Sequence, residues 1–416
     1  MTFLIATLLI ILLLLSWKYI KRLEPAGVFA LVWTMMFVAI LLMQEYFELR
    51  FYGMLYLLGI IIFFSIGSNF CDSTLNPEPA ETVLTFRKSL ATPMIIVLLI
   101  SAMVNPIYSI VLHGFSLQAL LSMQDLLNLN KEMSEMRYSG AEVHDMISQV
   151  FLIFSYTAPL MGGFCYRGVN KMTKAVCILT LIPGLFIALT QSMKMVMMTG
   201  FILWFTGYIV YSFSYGRPIR IKAKTIFYSI LGMLGFFLLL FSSMVLRTGE
   251  ISERTILDIG EKFFTYALGH FHCFDFWFTS YEPANYSWGT KTFMGLSNLL
   301  GLEERVQGIY TEYMQVGKNG YHGISNVFTA FRPLIEDFGE AGSYAVMFAL
   351  GFIAKLSLKY LTAKKMIFLN QTVLSALYAY LIWSFTASFF AYTSYLAMFF
   401  LAYFLFRLLQ KETALC

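Results

Sequence analysis

Charge is what this sequence has least of. Only 13% of its 416 residues are Asp, Glu, Lys or Arg, against 58% hydrophobic, whereas soluble domains are about one quarter charged and just under half apolar. That shortage excludes an ordinary soluble enzyme and turns chain length into a count of membrane spans. Long basic runs are also missing, so nucleic acid is not an expected partner. The five cysteines, Cys71, Cys165, Cys177, Cys273 and Cys416, form no CxxC pair and no Cys/His metal spacing. Only Cys273 falls on the expected outer side, so no intramolecular disulfide is expected. The outer loops hold no DxD-type pair, and Asp258 and Asp275 stand alone, so neither a metal nor another cofactor is expected. No internal repeat or low-complexity tract occurs, which argues against transporters built from symmetric halves. The N-terminal apolar segment has no small-residue cleavage site and reads as a first span, not as a removable signal.

What is present is a succession of apolar runs. Taking about 20 residues per span, spans fall at roughly 2–17, 26–43, 51–67, 90–112, 146–165, 225–246, 342–358, 366–386 and 389–408. Residues 175–214 are apolar over about twice one span length and must fold back as a hairpin, with its turn at Thr190-Gln191-Ser192-Met193-Lys194. A polar segment at 114–145 carries Leu117, Leu120, Leu121, Leu127 and Met133 and reads as an interfacial helix. Every second connection is rich in Lys and Arg, and those connections belong inside the cell. The fold class expected is an all-α polytopic membrane protein of about 11 spans, with the N-terminus outside, the C-terminus inside and one long outer loop. It divides into spans 1–8 over 1–246, the loop over 247–340, and spans 9–11 over 341–416.

The loop ends in the most informative stretch, 320–343, whose first 23 residues read GYHGISNVFTAFRPLIEDFGEAG. On a helix Phe328, Phe331, Ile335 and Phe338 share one face; Ser325, Thr329, Arg332 and Glu336 share another, with Asp337 beside them. Such an element lies at a membrane surface or under a loop with its polar face free for a ligand. Pro333 disfavours helix at Arg332, which predicts a kink there, and Gly339 and Gly342 allow a sharp turn into the next span. Basic residues at the outer ends of spans run against the orientation rule. Lys194, Arg247, Arg254 and Arg332 are therefore candidates to hold phosphate oxygens, or else to snorkel to ordinary lipid phosphates. The loop's first half is dense in aromatics, which can stack on sugars, form an interfacial belt or fill a loop core. Tyr286 and Trp288, flanked by Asn285, Ser287 and Gly289, are the best sugar-facing candidates. The candidate proton acceptors are His270, His272, His322, Glu336 and Asp337. Asp337 could instead pair with Arg332 or cap the next span.

The run Asn326-Val327-Phe328-Thr329-Ala330-Phe331-Arg332, with Asp337-Phe338-Gly339 and Gly342, resembles the segment ahead of a late span in the Wzy family of oligosaccharide repeat-unit polymerases. The order of spans and loops is similar over most of the chain. The related O-antigen ligases carry a histidine immediately before the corresponding asparagine; here that position is Ser325, and the nearest histidine is His322. The resemblance implies a metal-independent glycosyltransferase of GT-C-like architecture in a bacterial inner membrane. Its substrate would be an undecaprenyl-diphosphate-linked oligosaccharide, and a chain-length regulator and a flippase would be its partners. It implies that Arg332, with His322 and Asp337, serves the chemistry, and that Asn326 and Thr329 join Lys194, Arg247, Arg254, Tyr286 and Trp288 in binding. The alternatives are an O-antigen ligase and a lipid-linked oligosaccharide flippase. A flippase needs charges at span centres, which here are nearly free of them, and has no use for a long outer loop.

Overall fold

The computed structural model describes residues 2–78, 82–138, 146–191, 193–217, 219, 223–248, 252–282, 285–303, 310–318 and 323–414. The chain is mostly helical, as the long apolar runs require, because a backbone in lipid must satisfy its own hydrogen bonds. The helices are α1 (Thr2–Arg22), α2 (Pro25–Leu42), α3 (Tyr52–Thr74), α4 (Lys88–Leu112), α5 (Met123–Tyr138), α6 (Met146–Tyr166), α7 (Lys171–Leu179) and α8 (Ile182–Gln191). There follow α9 (Lys194–Ser214), α10 (Ala223–Thr248), α11 (Glu253–Ser280), α12 (Met294–Leu299), α13 (Phe331–Thr362), α14 (Ile367–Trp383) and α15 (Thr393–Leu409). Short strands β1 (Thr82–Phe86) and β4 (Gln410–Ala414) pair with each other. Strands β2 (Met314–Val316) and β3 (Gly323–Ser325) form an antiparallel ladder, with Met314 opposite Ser325.

Among the described residues, seven helices are long and apolar enough to cross a membrane: α2, α3, α4, α6, α7 and α8 taken as one, α9 and α13. Counting α1, which bends by 58° after Leu14, makes eight. Three shorter apolar helices, Phe237–Leu246 within α10, α14 and α15, fall on the remaining expected spans. This is a multi-pass membrane protein. The expected hairpin turn is in place, since α8 stops at Gln191 and α9 starts at Lys194.

Compactness divides the chain in a way that cuts across the three consecutive segments. One unit comprises Met1–Val83, Phe264–Leu396 and Ala414–Cys416; the other comprises Leu84–Phe263 and Ala397–Thr413. The first unit is built on α3 and α13, which approach so closely that a methyl group on Gly67 would collide with the carbonyl of Phe348, and one on Gly351 with that of Phe64. Small residues allow this kind of close helix crossing in lipid, where packing replaces the hydrophobic drive. Its core is aromatic: Trp33 packs on Phe331 at 5.4 Å and on Phe271 at 5.5 Å, and Phe271 on Phe37 at 5.4 Å. The Trp33 indole N–H donates to Ser384 Oγ at 2.8 Å, which satisfies the one polar atom of that buried ring.

In the second unit α6 and α9 cross in the same manner, with Gly163 against Trp204 and Gly207 against Leu160. One face of the segment expected to lie at the interface is packed into a core. Leu129 and Met133 of α5 are buried with Ile110, and Phe115, Leu120, Leu126, Met136 and Phe186 pack around them. Leu117 and Leu121 stay exposed.

The first half of the long loop is not a loop. Residues 253–280 form α11, and its buried positions Leu268, Phe271, Phe274 and Trp277 recur at helical spacing. Asp275, isolated in the sequence, is fully buried. Its carboxylate accepts the backbone N–H groups of Arg50, Phe51 at 2.9 Å and Gly53 at 2.8 Å. These are the donors that the start of α3 leaves without intrahelical partners, so a residue of α11 caps a helix more than two hundred positions away.

Candidate active site

The site is built on the first two turns of α13. Ala330 precedes the helix, and its N–H donates to the Ser384 carbonyl at 2.8 Å, which ties the helix start to the end of α14. Pro333 falls in the first turn, where a missing N–H costs nothing; the kink expected there is absent. The break lies at Gly339, whose φ of 69° and ψ of 178° only glycine adopts readily. At that break the carbonyls of Glu336 and Asp337 turn to accept the N–H groups of Ser287 and Trp288, both at 3.2 Å. Two short pieces of backbone are thereby strapped together, and Trp288 itself takes a positive φ of 52°.

Arg332 is buried to within 4%, not free on a polar face as the sequence suggests. Its guanidinium carbon lies 3.8 Å from the Tyr310 ring centroid, 4.1 Å from that of Phe328 and 4.9 Å from that of Trp277. Nε donates to Glu336 Oε1 at 3.0 Å, the i,i+4 pair that the spacing implies. Nη2 pairs with the half-exposed carboxylate of Glu312. Nη1 is buried and has no hydrogen-bond partner among the described residues. Glu336 also receives Lys291 Nζ at 3.0 Å and the Tyr310 hydroxyl at 3.3 Å. Burial, then the Glu336 charge, pushes the Tyr310 phenol well above its ordinary range, so it stays a neutral donor. Two cations and two carboxylates thus meet in an aromatic box. Without Glu312, Arg332 and Lys291 balance Glu336 and the neighbouring Asp337, and Nη1 and Nη2 of the guanidinium are left without a carboxylate.

The other expected site residues are placed as follows. Asp337 is fully buried, and its two oxygens accept the N–H groups of Lys291 at 3.2 Å and Thr292 at 2.6 Å. It holds the segment that carries Lys291, which assigns it positioning and corrects its expected place among the proton acceptors. Asn326 donates to the Tyr310 carbonyl at 3.0 Å, and Thr329 Oγ1 accepts the Phe331 N–H at 3.3 Å. Both therefore shape the box from within, although the sequence suggests that they face a ligand. Tyr286 and Trp288 are exposed, 42% and 78%, and meet edge to face at 6.2 Å, open to a sugar. His322 lies outside the described residues. Lys194 opens α9, Arg247 lies in the last turn of α10, and Arg254 in the first turn of α11. These three belong to the second unit, and the side chains of Arg247 and Arg254 lie outside the described residues. Glu312 and Tyr310 escape sequence reading, because no local pattern marks a residue that reaches Arg332 from about twenty positions away.

His270 and His272 are structural. His272 lies between the carbonyls of Glu48, 2.8 Å from Nδ1, and Gln315, 3.1 Å from Nε2, and as a neutral ring donates its one N–H to one of them; burial depresses its pKa against their opposing pull. His270 is buried beside Phe385, and desolvation takes its pKa from 6.5 down to about 3. Above pH 6.5 it is neutral in both folded and unfolded chains. As pH falls from 6.5 towards about 3, only the unfolded chain takes up the proton. Stability should then fall by on the order of 1 kcal/mol per pH unit per histidine. The thermal midpoint of purified protein should drop between pH 7.5 and pH 5, and the slope should flatten in His270→Gln. An equally steep slope in that variant would show that the acid sensitivity lies elsewhere.

Compared with protein-family models, with curated proteins and with solved structures, the chain matches none. Its functional reading therefore rests on the resemblance of the 326–342 stretch and on the geometry around Arg332.

Proposed function

We propose that this protein is a polysaccharide polymerase of the bacterial inner membrane, with eleven spans, its N-terminus outside and the Arg332 cluster at the outer face. It moves a growing glycan from undecaprenyl diphosphate onto a new lipid-linked repeat unit. The observation that carries this reading is a buried arginine with a nitrogen unpartnered among the described residues, held in an aromatic box inside the polymerase-like stretch. Ionisable groups placed at membrane depth are functional by default, and a planar guanidinium matches a phosphate.

The reaction breaks the bond between the anomeric carbon and the diphosphate and forms one to the acceptor hydroxyl. The hydroxyl proton leaves to a base, for which His322 is the candidate. Charge builds on the departing diphosphate, so donors fixed in a water-poor box contribute most. Arg332 meets that charge with Nη1, and with Nη2 once Glu312 yields it. Lys291 adds a second cation, and Glu336, Tyr310 and Asp337 hold both in place. Tyr286 and Trp288 offer ring faces to the sugars.

Deletion of the protein tests the reading against its rivals. Surface lipopolysaccharide carrying a single repeat unit is expected, because one unit can still be exported and ligated. Complete loss of surface repeat units would indicate a flippase, and unligated polymer would indicate a ligase.

A further inference from the structure

The segment from Phe293 to Leu302 carries an apolar surface that the proposed chemistry does not use. Leu296, Leu299, Leu300 and Leu302 are 45%, 69%, 63% and 65% exposed. Leu296 and Leu299 share a face of α12 by their spacing, Leu300 caps its end on the same side, and Leu302 follows in the turn after it. The opposite side is pinned. Gly295 packs so tightly that a Cβ on it would lie 2.6 Å from the Tyr392 carbonyl carbon and 2.7 Å from the Thr393 nitrogen. Thr393 Oγ1 donates to the Gly295 carbonyl at 2.8 Å, Ser388 Oγ to that of Thr292 at 3.3 Å, and Phe293 packs on Phe390 at 5.5 Å. Thr393 is the first residue of the apolar helix α15. The leucines are thus held level with the start of an apolar helix, where such a helix enters lipid. Polar groups edge the patch: Thr290 Oγ1 donates to Glu303 at 2.9 Å, and Lys291 reaches Glu336.

We propose that Phe293–Leu302 is a wedge inserted into the lipid leaflet at the face where α15 begins, with its four leucines among acyl chains. Contiguous exposed apolar patches mark a membrane or a protein partner. Composition favours lipid here. Protein interfaces anchor on Trp, Tyr and Arg, whereas this patch presents four leucines and the part-exposed Phe293 with a polar edge, the pattern of an element lying at the interface. Because Asp337 grips the N–H groups of Lys291 and Thr292, the wedge also fixes the height of the Lys291–Glu336–Arg332 cluster. On the functional reading above, that puts the cluster beside the headgroup phosphates. The insertion itself does not depend on that reading.

The test is spin-label accessibility in the full-length protein in lipid nanodiscs. The described cysteines Cys71, Cys165, Cys177 and Cys273 are free and buried, so a Cys416→Ser background leaves single labels at Leu299→Cys and Leu302→Cys. Ile100→Cys on α4 (Ile100 is 62% exposed) marks lipid, and Lys318→Cys, on an exposed residue just after β2, marks water. Labels at 299 and 302 should meet oxygen several-fold more readily than a water-soluble nickel chelate, as the label at 100 does. A ratio like that at 318 would overturn the proposal in favour of a water-exposed surface. A label shielded from both reagents would overturn it in favour of a protein partner.

Discussion

Cells carrying Arg332→Ala as their only copy should lose the polymer ladder or show it sharply shortened, at a normal level of the membrane protein. Loss of one preorganised donor to a developing oxyanion costs about 2.7–4 kcal/mol, or 10²–10³ in rate. The fold should tolerate the change, because Glu336 keeps Lys291 and the Tyr310 hydroxyl as partners. Arg332→Lys keeps the charge, loses the fork and should recover part of the activity. Glu312→Gln removes only the carboxylate that competes for Nη2 and should leave activity equal or raised. If Arg332 served only to hold the loop, Arg332→Ala would lower the protein level, and Glu336→Gln in the same chain would restore it. Wild-type polymer length in a stably expressed Arg332→Ala protein would remove Arg332 from the chemistry.

The largest effect on stability is expected at the other end of α13. Lys355 and Glu24 are both buried and pair at 2.6 Å, and Asp72 lies 3.3 Å from Lys355 and from Lys359. Breaking a buried pair from one side leaves an uncompensated charge and costs about 3–5 kcal/mol. Lys355→Met should therefore lower the thermal midpoint strongly, since among the described residues Glu24 then keeps Arg22, at 3.8 Å, as its ion-pair partner. Removing both charges, in Lys355→Met with Glu24→Gln, should recover most of the loss. About 24 Å of helix separates Lys355 from Gly339, so activity per folded molecule should not change in either variant. A double variant no more stable than Lys355→Met alone would mean that the pair is not what holds α13 to the start of α2.

How much of this could be read from the sequence depended on the range of the forces involved. The apolar runs placed the membrane helices, because the cost of exposing polar backbone in lipid acts along contiguous sequence. The turn before Lys194 and the Arg332–Glu336 pair were legible for the same reason, as both are set by spacing along one element. The kink expected at Pro333 is absent, because a proline in the first helical turn has no bond to break, whereas the sharp turn that Gly339 allows is present, at a positive φ that calls for glycine. The aromatic stretch before Ser280 reads as loop because its polar residues interrupt the apolar run that a span needs, although its buried positions keep a helical period. Asp275 at the start of α3, Glu312 and Tyr310 on Arg332, and Lys355 on Glu24 join residues far apart in the chain. No local rule carries those contacts.

The most direct measurement is a reconstitution. Purified protein in liposomes would be given isolated undecaprenyl-diphosphate-linked repeat units, without nucleotide sugars. The expected result is a series of lipid-linked oligomers with one undecaprenyl diphosphate released for each bond formed, and no series with Arg332→Ala. Repeat units that cross to the opposite leaflet without being joined would contradict it.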